Sequence, residues 1–458
     1  MDYRDKSLVL VIFGITGDLA KRKLLPALYH LHSKKMLPES FKVVGVSRNE
    51  VSVDAIYEPV KERIARQNYD DNIMDEVKRA TTMVQLDMHK TADFEQLLAK
   101  LKDMTEDLGP GVSRLYYLSI PAQACVEVVK QLGATNHDAP FAEDADQPRV
   151  LIEKPFGHDV ASAQELVDVL EANFGEQQTF RIDHYLAKET AQNILTFRFR
   201  NPLFQSIWNA RHIEKIHIAA YETIGIEGRV DFYEQTGALR DILQSHLMQL
   251  MALITMEAPA KLDSPNIHKA KLRVLESVEP IAASDVTTKA FRAQYDTYET
   301  EVGHQTTTET FARLHLSVDN EQWRGVDICL ETGKALANKA TEITVYFRGT
   351  SEEAPTNALI FRIQPREGIT LLLQAKQPGL HNDTDVVEMD FDYDKSFGNS
   401  IDAYERVIVD AIRGDQALFA SAPEVMASWR IVEHVLQDWT KHKGNIAIYE
   451  SGTPPADL

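Results

Sequence analysis

The feature that most constrains the fold is an apolar run, a glycine-containing turn and a helix-forming segment that follow one another near the start of the chain. Residues 7–13 are almost continuously apolar, which is typical of a parallel strand buried on both faces. Residues 24–36 then carry apolar side chains at helical spacing. Further short apolar runs alternate with helical patterns at 41–46, 115–120 and 149–152. The alternation predicts an α/β domain with a doubly wound parallel sheet over residues 1–180.

The turn reads Gly14-Ile15-Thr16-Gly17-Asp18-Leu19-Ala20, a variant of the glycine pattern found in dinucleotide-binding folds. One glycine permits the tight strand-to-helix turn, a second allows close approach of the backbone, and the small Ala20 lets the helix pack on the strand. Free N–H groups at the helix start would face a pyrophosphate. We therefore expect a cofactor to contact Gly14, Thr16, Gly17, Asp18 and Leu19. A turn that binds no ligand is the alternative.

The end of the second strand bears on the type of cofactor. Enzymes that use NAD usually have an acidic residue there for the ribose 2′-hydroxyl. This chain has Ser47-Arg48 instead, and an arginine beside a hydroxyl suits a 2′-phosphate through charge-assisted hydrogen bonds. Lys21 adds a second cation from the first turn. The pattern favours NADP over NAD, with a solvated surface arginine as the alternative.

The second half of the chain has a different periodicity. Apolar residues alternate with polar ones in several segments from Ile213 onward, which is typical of strands with one buried face. Helical patterns cover about 238–256 and about 401–413, and the second ends at Gly414, a favoured residue after a helix end. We therefore expect a second, α+β domain over residues 181–458 with a large antiparallel sheet.

Charge and cysteine content limit the partners and the compartment. The 458 residues include 69 acidic and 49 basic side chains, which gives a net charge of −20. Such a surface repels nucleic acid and anionic membranes, so we expect neither as a partner. An anionic substrate would need a local cluster of cations. The two cysteines, Cys125 and Cys329, cannot form a disulfide framework, which favours the cytoplasm.

Two segments of the first half concentrate reactive side chains. Lys154 directly follows a buried strand, so it should point into the ligand crevice at the carboxyl ends of the strands. At the domain junction, the run from Asp183 to Lys188 is hard to explain by packing alone. His184, Tyr185 and Lys188 offer two cations and a phenolic donor that could bind a phosphate.

A third segment places a histidine within a helix. His246 falls in the apolar stripe that includes Leu239, Leu243 and Leu250, so it should face inward. For a lone histidine, a satisfied core residue is the more frequent explanation. Beside a carboxylate in a cleft, the same histidine would be a general base.

These segments together resemble the glucose-6-phosphate dehydrogenase family. The similarity lies in separated blocks that keep the family's order from residue 8 to about 440. The blocks are the glycine turn with Lys21-Arg22-Lys23, Glu153-Lys154-Pro155-Phe156-Gly157, Arg181 through Glu189, Glu227-Gly228-Arg229, Arg240-Asp241 through His246-Leu247, Thr332-Gly333-Lys334-Ala335-Leu336, Ala403-Tyr404-Glu405-Arg406 and Arg413-Gly414-Asp415.

The resemblance implies a Rossmann-like NADP-binding domain followed by an α+β domain with a large antiparallel sheet. It implies that His246 removes the proton of the sugar C1 hydroxyl while Asp183 orients the imidazole, and that C1 hydride passes to the nicotinamide. The expected product is a 6-phospho-lactone, formed in the cytoplasm at the first step of the oxidative pentose phosphate pathway.

The resemblance also implies the remaining contacts. The sugar phosphate would be bound by His184, Tyr185, Lys188 and Lys339, and the sugar hydroxyls by Lys154, Glu222, Asp241 and Lys334. NADP phosphate would contact Lys21 and Arg48, with Ser47 and Lys154 as further cofactor contacts. We expect no metal site. Members of the family commonly form dimers through the face of the large sheet, so the resemblance suggests a homodimer or homotetramer.

Several positions depart from the family pattern. They are Ala187, Ser245, the Val230-Asp231 pair and the run Ser119-Ile120-Pro121-Ala122. None of them removes a proposed catalytic group. Two alternatives stay open: the same chemistry on another hexose 6-phosphate or with NAD, and a relative that binds without catalysis.

Overall fold

The computed structural model describes residues 3–64, 69–109, 111–139, 146–349, 357–398, 401–442, 444 and 446–458. Internal contacts divide the chain into two compact units. The first unit contains residues 1–157, 161–187 and 401–422, and the second contains residues 158–160, 188–400 and 423–458.

The strands, in chain order, are β1 (Ser7–Phe13), β2 (Phe41–Ser47), β3 (Thr81–Gln85), β4 (Val112–Leu118), β5 (Arg149–Glu153), β6 (Thr179–Ile182), β7 (Ile213–Tyr221), β8 (Ala290–Tyr295), β9 (Phe311–Leu316), β10 (Asp327–Gly333), β11 (Ala340–Phe347), β12 (Ala358–Gln364), β13 (Gly368–Lys376), β14 (Thr384–Asp392), β15 (Phe419–Ala420) and β16 (Ala447–Tyr449).

The α-helices are α1 (Leu25–Ser33), α2 (Val53–Ile64), α3 (Asp71–Ala80), α4 (Thr91–Leu108), α5 (Ala122–Ala134), α6 (Val160–Asn173), α7 (Glu189–Arg200), α8 (Pro202–Gln205), α9 (Val230–Ala238), α10 (Met248–Thr255), α11 (Ser264–Glu276), α12 (Val286–Lys289), α13 (Tyr298–Val302), α14 (Tyr393–Phe397), α15 (Ala403–Arg413) and α16 (Ala422–Lys441). Among the described residues, the segments Ala20–Leu24 and Leu239–Leu247 are wound as π-helix, and Tyr3–Asp5, Glu176–Gln178 and Pro455–Asp457 form short 3₁₀ turns.

The first unit is built on a seven-stranded sheet in the order β15-β6-β5-β4-β1-β2-β3. All neighbours pair in parallel except β15 with β6. Strand β1 is central and buried on both faces, with one apolar cluster on each face of the sheet. Strands β2 and β3 are added on one side of β1, and β4, β5 and β6 on the other. The order of strands therefore changes sides between β1 and β4, and doubly wound folds bind ligands in the crevice at such a switch point.

The second unit is built on a nine-stranded sheet in the order β14-β13-β12-β11-β7-β10-β9-β8-β16. Most neighbours are antiparallel, but β7 pairs with β10 and β8 pairs with β16 in parallel. The π-helical segment Leu239–Leu247 packs against β7, β9 and β10. The predicted fold class, a Rossmann-like domain plus an α+β domain with a large mostly antiparallel sheet, is confirmed.

The chain returns to the first unit near its end. Residues 401–422, which contain helix α15 and strand β15, belong to the first unit. Helix α15 ends at Gly414 in the left-handed conformation, φ 76°, as the sequence predicted. The predicted division into residues 1–180 and 181–458 did not include this return. Within the described residues, no helix is both long and apolar enough to span a bilayer.

Candidate active site

The glycine turn closes the carboxyl end of β1. Gly14 has φ +77°, a conformation that glycine adopts without strain, and its N–H donates to the Val46 carbonyl at 3.2 Å. A Cβ atom at Gly14 would collide with the carbonyl oxygen of Ser119. The Gly17 N–H then donates to the Gly14 carbonyl at 2.9 Å. Glycine at position 14 is therefore required both by backbone angle and by space.

The helix that follows begins with π-helical winding rather than α-helical winding. The Leu25 N–H donates to the Ala20 carbonyl, five residues back. Asp18 pairs with Arg22 at 2.5 Å, and Ala20 is fully buried, as the packing argument required. Thr16 is exposed, while Leu19 and Lys21 are half-buried. The turn thus presents polar groups and backbone at the switch point.

Ser47 and Arg48 lie at the carboxyl end of the neighbouring strand β2. Ser47 is buried, and its hydroxyl donates to the Asn49 carbonyl. Arg48 is exposed, and its carbonyl accepts a hydrogen bond from the Gln85 side chain at 3.0 Å. The Arg48 side chain is therefore accessible at this strand end, while the Ser47 hydroxyl forms a hydrogen bond within the loop.

Strand β5 ends in Glu153 and Lys154. Both side chains are half-buried, and the Lys154–Pro155 peptide bond is cis. The Tyr117 hydroxyl donates to Glu153 at 2.5 Å. Burial is the main cause that raises the pKa of Glu153 to about 7, and nearby Asp183 adds to the effect. Lys154 opposes it as a neighbouring cation.

The junction run lies beside β5, after strand β6. Asp183 is 3% exposed, and its carboxylate accepts the Tyr185 N–H at 3.0 Å. The ring of His184 stacks on Tyr404 of helix α15, with centroids 6.4 Å apart, and meets the Tyr185 ring edge-on at 5.0 Å. Tyr185 is buried. These contacts fix the side chains that the sequence singled out.

In the second unit, His246 lies on the π-helical segment Leu239–Leu247. It is 1% exposed, as the helical spacing predicted. The N-terminal end of the segment follows Gly237, with φ +62°, where a Cβ would collide with the Glu309 carboxylate. That carboxylate accepts the Leu239 N–H at 3.0 Å. Ser245, which departs from the family pattern, donates its hydroxyl to the Asp241 carbonyl at 3.1 Å. This hydrogen bond lies within the same helical segment.

A polar cluster in the second unit contains two predicted sugar contacts. Lys334 forms an ion pair with Glu222 and lies 5.2 Å from the centre of the Tyr233 ring. Burial is the main cause that raises the pKa of Tyr233 well above its ordinary value, and the negative charges of Asp241 and Glu309 add to the effect. The structure thus brings Glu222, Lys334 and Asp241 into one neighbourhood around this tyrosine.

The two lysines proposed for phosphate binding in the second unit have different environments. Lys188 is half-buried, with its Nζ 3.6 Å from the Glu367 carboxylate. Lys339 is exposed just after strand β10, beyond Lys334 and before β11. The Lys188 ammonium therefore has a carboxylate neighbour that would compete with a bound phosphate, and the Lys339 side chain is accessible to solvent.

Each unit holds part of the predicted set. The first unit holds Gly14, Thr16, Gly17, Asp18, Leu19, Lys21, Ser47, Arg48, Lys154, Asp183, His184 and Tyr185. The second unit holds Lys188, Glu222, Asp241, His246, Lys334 and Lys339.

Sequence reasoning missed four residues of these neighbourhoods. They are Tyr117, Glu153, Tyr233 and Glu309. Glu153 belongs to one of the blocks that resemble the family, but only its neighbour Lys154 was predicted to contact a ligand. Tyr117 and Glu309 come from chain segments far from the residues they contact, so local spacing gave no signal. A tyrosine or glutamate between apolar residues was the only available sign.

One group of metal-ligating types occurs in the described part of the chain. His217, Cys329 and Glu331 bring ligand atoms within 4.8 Å of one another on β7 and β10. Glu331, however, accepts the Tyr221 hydroxyl at 2.5 Å and pairs with Arg313. Burial raises the pKa of the Cys329 thiol to about 12. These groups fit a protein hydrogen-bond network, and the expectation of no metal site stays a prediction.

Two family models match the chain. One is described as "Glucose-6-phosphate dehydrogenase, NAD binding domain" and matches residues 11–193. The other is described as "Glucose-6-phosphate dehydrogenase, C-terminal domain" and matches residues 195–457.

Relatives that match nearly the whole chain have the same family name as these two models. Glucose-6-phosphate 1-dehydrogenase of Chlamydia muridarum is 38% identical over 476 residues, covering 97% of this chain and 93% of that protein. Glucose-6-phosphate 1-dehydrogenase 2 of Mycobacterium bovis is 38% identical over 483 residues, covering 99% and 93%.

Among solved structures, one described as glucose-6-phosphate dehydrogenase in complex with its substrate glucose-6-phosphate is similar with a TM-score of 0.91. It is 32% identical and covers 98% of this chain and 95% of that one. Glucose-6-phosphate 1-dehydrogenase from Mycobacterium avium has a TM-score of 0.83 at 31% identity, covering 98% and 96%.

Proposed function

Because the chain belongs to the glucose-6-phosphate dehydrogenase family, we propose that it oxidises D-glucose 6-phosphate at C1 to 6-phospho-D-glucono-1,5-lactone and reduces NADP. The observation that carries the proposal is the nearly full-length similarity to enzymes of that name, with every proposed catalytic group present. The reaction would be the first step of the oxidative pentose phosphate pathway.

The nicotinamide cofactor would bind at the switch point of the first sheet. The residues there fit it: Gly14 leaves the backbone close to the crevice, and Lys21 and Arg48 supply cations near the ends of β1 and β2. When bound, the nicotinamide ring accepts the hydride. Exposed Arg48 supports NADP because a guanidinium can bind a 2′-phosphate with two hydrogen bonds. NAD as the main cofactor remains the second candidate.

His246 would act as the general base. Hydride leaves C1 readily only when the C1 hydroxyl loses its proton, so a base that is neutral near pH 7 is needed. Imidazole has a suitable ordinary pKa. Asp183 would orient the ring and stabilise the imidazolium that forms, without accepting the proton itself.

The sugar phosphate would be held by His184, Tyr185, Lys188 and Lys339. The sugar hydroxyls would be held by Lys154, Glu222, Asp241 and Lys334. The Glu222–Lys334 ion pair supports the second group because the pair offers an acceptor and a donor side by side. Local cations such as Lys188 and Lys339 would offset the net charge of −20 for an anionic substrate.

We also propose a cytoplasmic location and a homodimer or homotetramer. The location is supported by two buried free cysteines, Cys125 and Cys329. The assembly is supported by the family's use of its large sheet for pairing.

The test is a rate assay on the purified protein that follows the near-ultraviolet absorbance of reduced nicotinamide. We expect reduction with glucose 6-phosphate and NADP, and much slower reduction with NAD. Comparable rates with NAD would leave the chemistry but remove the NADP preference. Reduction only with a different hexose 6-phosphate would move the substrate assignment, and no reduction with any of them would contradict the proposal.

A further inference from the structure

The second unit contains a cavity of about 420 Å³ at the C-terminal end of helix α7. All of its lining residues belong to the second unit. The charged residues of its wall are Arg198, Arg200 and Lys261, and no acidic residue lines it in the described part of the chain. In a chain with a net charge of −20, a cavity wall with cations and no carboxylate favours an anionic ligand. The volume is in the range of small-molecule sites.

Arg198 is the buried cation of this wall. It is 4% exposed, and its guanidinium lies 4.6 Å from the centre of the Phe199 ring and 5.4 Å from that of the Trp208 ring. Burial lowers the pKa of Arg198 to about 9, and no neighbouring charge contributes to this shift. The group therefore stays protonated at neutral pH. A buried charge is costly when no opposite charge compensates it.

A structural role explains part of this arrangement. Arg198 donates to the carbonyls of Leu253 and Met256 at 2.7 and 2.6 Å, and the Trp208 indole donates to the Ile254 carbonyl at 2.9 Å. These hydrogen bonds cap the C-terminal end of α10, where the helix dipole supplies only about half a negative charge. Capping accounts for the position of Arg198. It does not require two further cations in the same wall.

The cavity is separate from the phosphate contacts proposed above. Lys188 precedes α7, whereas Arg198 and Arg200 lie in the last turn of that helix. The α-helical rise from Lys188 to Arg198 is about 15 Å. The two side chains also have different partners, since Lys188 lies beside the Glu367 carboxylate and Arg198 is bound to the end of α10. An anion in the cavity is therefore independent of the proposed oxidation.

We propose that this cavity binds the phosphate group of a small phosphorylated molecule. Arg200 and Lys261 are exposed and would donate charge-assisted hydrogen bonds to the phosphate oxygens. The nearby charge of Arg198 favours a dianion over a monoanion. Phe199 and Leu262 add apolar surface to the wall, which suits an organic group attached to the phosphate.

Trp208 gives a local readout because it lines the cavity. In the intact chain labelled with ¹⁵N at the tryptophan indoles, its signal is the one that Trp208→Phe removes. We expect phenyl phosphate at constant ionic strength to shift this signal in a saturable way, with a Kd of about 1 mM or less. Inorganic phosphate should bind more weakly because it lacks the apolar contact. Benzoate should also bind more weakly because it carries a single charge.

The test variant combines Arg200→Gln with Lys261→Gln, which removes the exposed cations and leaves Arg198 at the end of α10. We expect its Kd for phenyl phosphate to rise roughly ten- to a hundredfold, with no change in the thermal midpoint of the ligand-free protein. The matched control combines Arg430→Gln with Lys269→Gln, which removes the same charge from exposed positions of α16 and α11. We expect this control to bind phenyl phosphate like the wild type.

A Trp208 signal that does not shift, or that shifts without saturation, would overturn the proposal. So would a Kd that rises no more in the cavity variant than in the control. Phenyl phosphate that binds no more tightly than inorganic phosphate would overturn the organic part of the assignment.

Lys188→Ala tests whether the response comes from the proposed sugar-phosphate contacts. We expect the Trp208 titration to be unchanged in this variant, and its loss would overturn a separate site. The titration requires no turnover, so a protein that binds phenyl phosphate here but does not oxidise glucose 6-phosphate would contradict only the proposed function.

Discussion

At the scale of single residues, the proposed reaction would depend on two side chains that are more deeply buried than is usual for their type. His246 is 1% exposed on a helix that packs on the large sheet, and Asp183 is 3% exposed at the end of a parallel strand. A buried polar side chain is costly unless it is partnered or used. Asp183 accepts the Tyr185 N–H as one such partner, and the proposed function gives both side chains a chemical use.

The base assignment is tested by His246→Asn. Asparagine keeps a polar side chain of similar reach but does not take up a proton, so kcat should fall on the order of 10²–10⁴-fold. KM for the sugar should change little because the lost interaction belongs to the transition state. Steady-state kinetics measure both, with His212→Asn, an exposed histidine of the second unit, as the control. Near-normal turnover in His246→Asn would show that another group is the base.

The cofactor assignment is tested by Arg48→Ala. Loss of the guanidinium should weaken NADP binding by roughly ten- to a hundredfold, the size of a charge-assisted hydrogen bond or two. NAD carries no 2′-phosphate and should be affected much less. Fluorescence titration with each reduced cofactor measures the two affinities, and Arg79→Ala, an exposed arginine on α3, controls for general loss of charge. Equal weakening of both cofactors would remove Arg48 from the 2′-phosphate site.

Most of the proposed site residues were chosen because they belong to blocks that resemble the family, and only a few could be chosen from the strand and helix pattern. Arg48 and Lys154 could be argued from strand ends alone. The expectation that Ser47 helps to bind the cofactor phosphate stays a prediction, and the structure adds that its hydroxyl donates to the Asn49 carbonyl. That hydrogen bond depends on how the loop closes after β2, which apolar spacing does not encode.

At the scale of elements, both helices that carry proposed functional residues begin or run with π-helical winding. These are Ala20–Leu24, after the glycine turn, and Leu239–Leu247, which contains His246. A π-helical segment changes the direction of its side chains relative to an α-helix and is frequent at functional sites. The winding was not predicted, because apolar spacing does not separate the two over nine residues.

The start of the histidine helix depends on a distant residue. The sequence placed it near Ala238, and the structure has helix α9 from Val230, an interruption at Gly237 and then the π-helical segment. The Glu309 carboxylate accepts the Leu239 N–H where a local capping residue would otherwise be needed. A cap supplied from 70 residues away leaves no local signal.

The glycine turn is tested by Gly14→Ala. Alanine at φ +77° costs about 1–2 kcal/mol, and its Cβ would also collide with the Ser119 carbonyl. We expect a larger loss of stability than backbone angle alone explains, together with weaker cofactor binding. The control is Gly303→Ala, where φ is +83° but a Cβ would meet no atom within 4 Å. Denaturant unfolding compares the two. A loss at position 14 no larger than at position 303 would contradict the close-approach argument.

At the scale of the whole molecule, the sequence predicted the kinds of sheet correctly and the path of the chain incompletely. Parallel strands buried on both faces and half-buried antiparallel strands have different apolar patterns, so the sequence could predict the kind of each sheet. The return of residues 401–422 to the first unit could not, because helix α15 has the same amphipathic pattern wherever it packs. Yet this return brings Tyr404 to the ring of His184.

The proposed homodimer or homotetramer is also a property of the whole molecule and can be tested by its mass in solution. We expect light scattering on the purified protein to give the mass of a homodimer or homotetramer of the 51.7 kDa chain. The mass should hold over a wide range of protein concentration, because an obligate interface is large and apolar. A monomer mass throughout that range would contradict the proposal.

The central claim is that this chain transfers the C1 hydrogen of glucose 6-phosphate to NADP. The most direct measurement supplies glucose 6-phosphate that carries deuterium at C1 and analyses both products by mass spectrometry. We expect reduced NADP that carries the deuterium, formed in equal amount with a 6-phospho-lactone or its hydrolysis product. Reduced cofactor without deuterium, or an unchanged sugar phosphate, would contradict it.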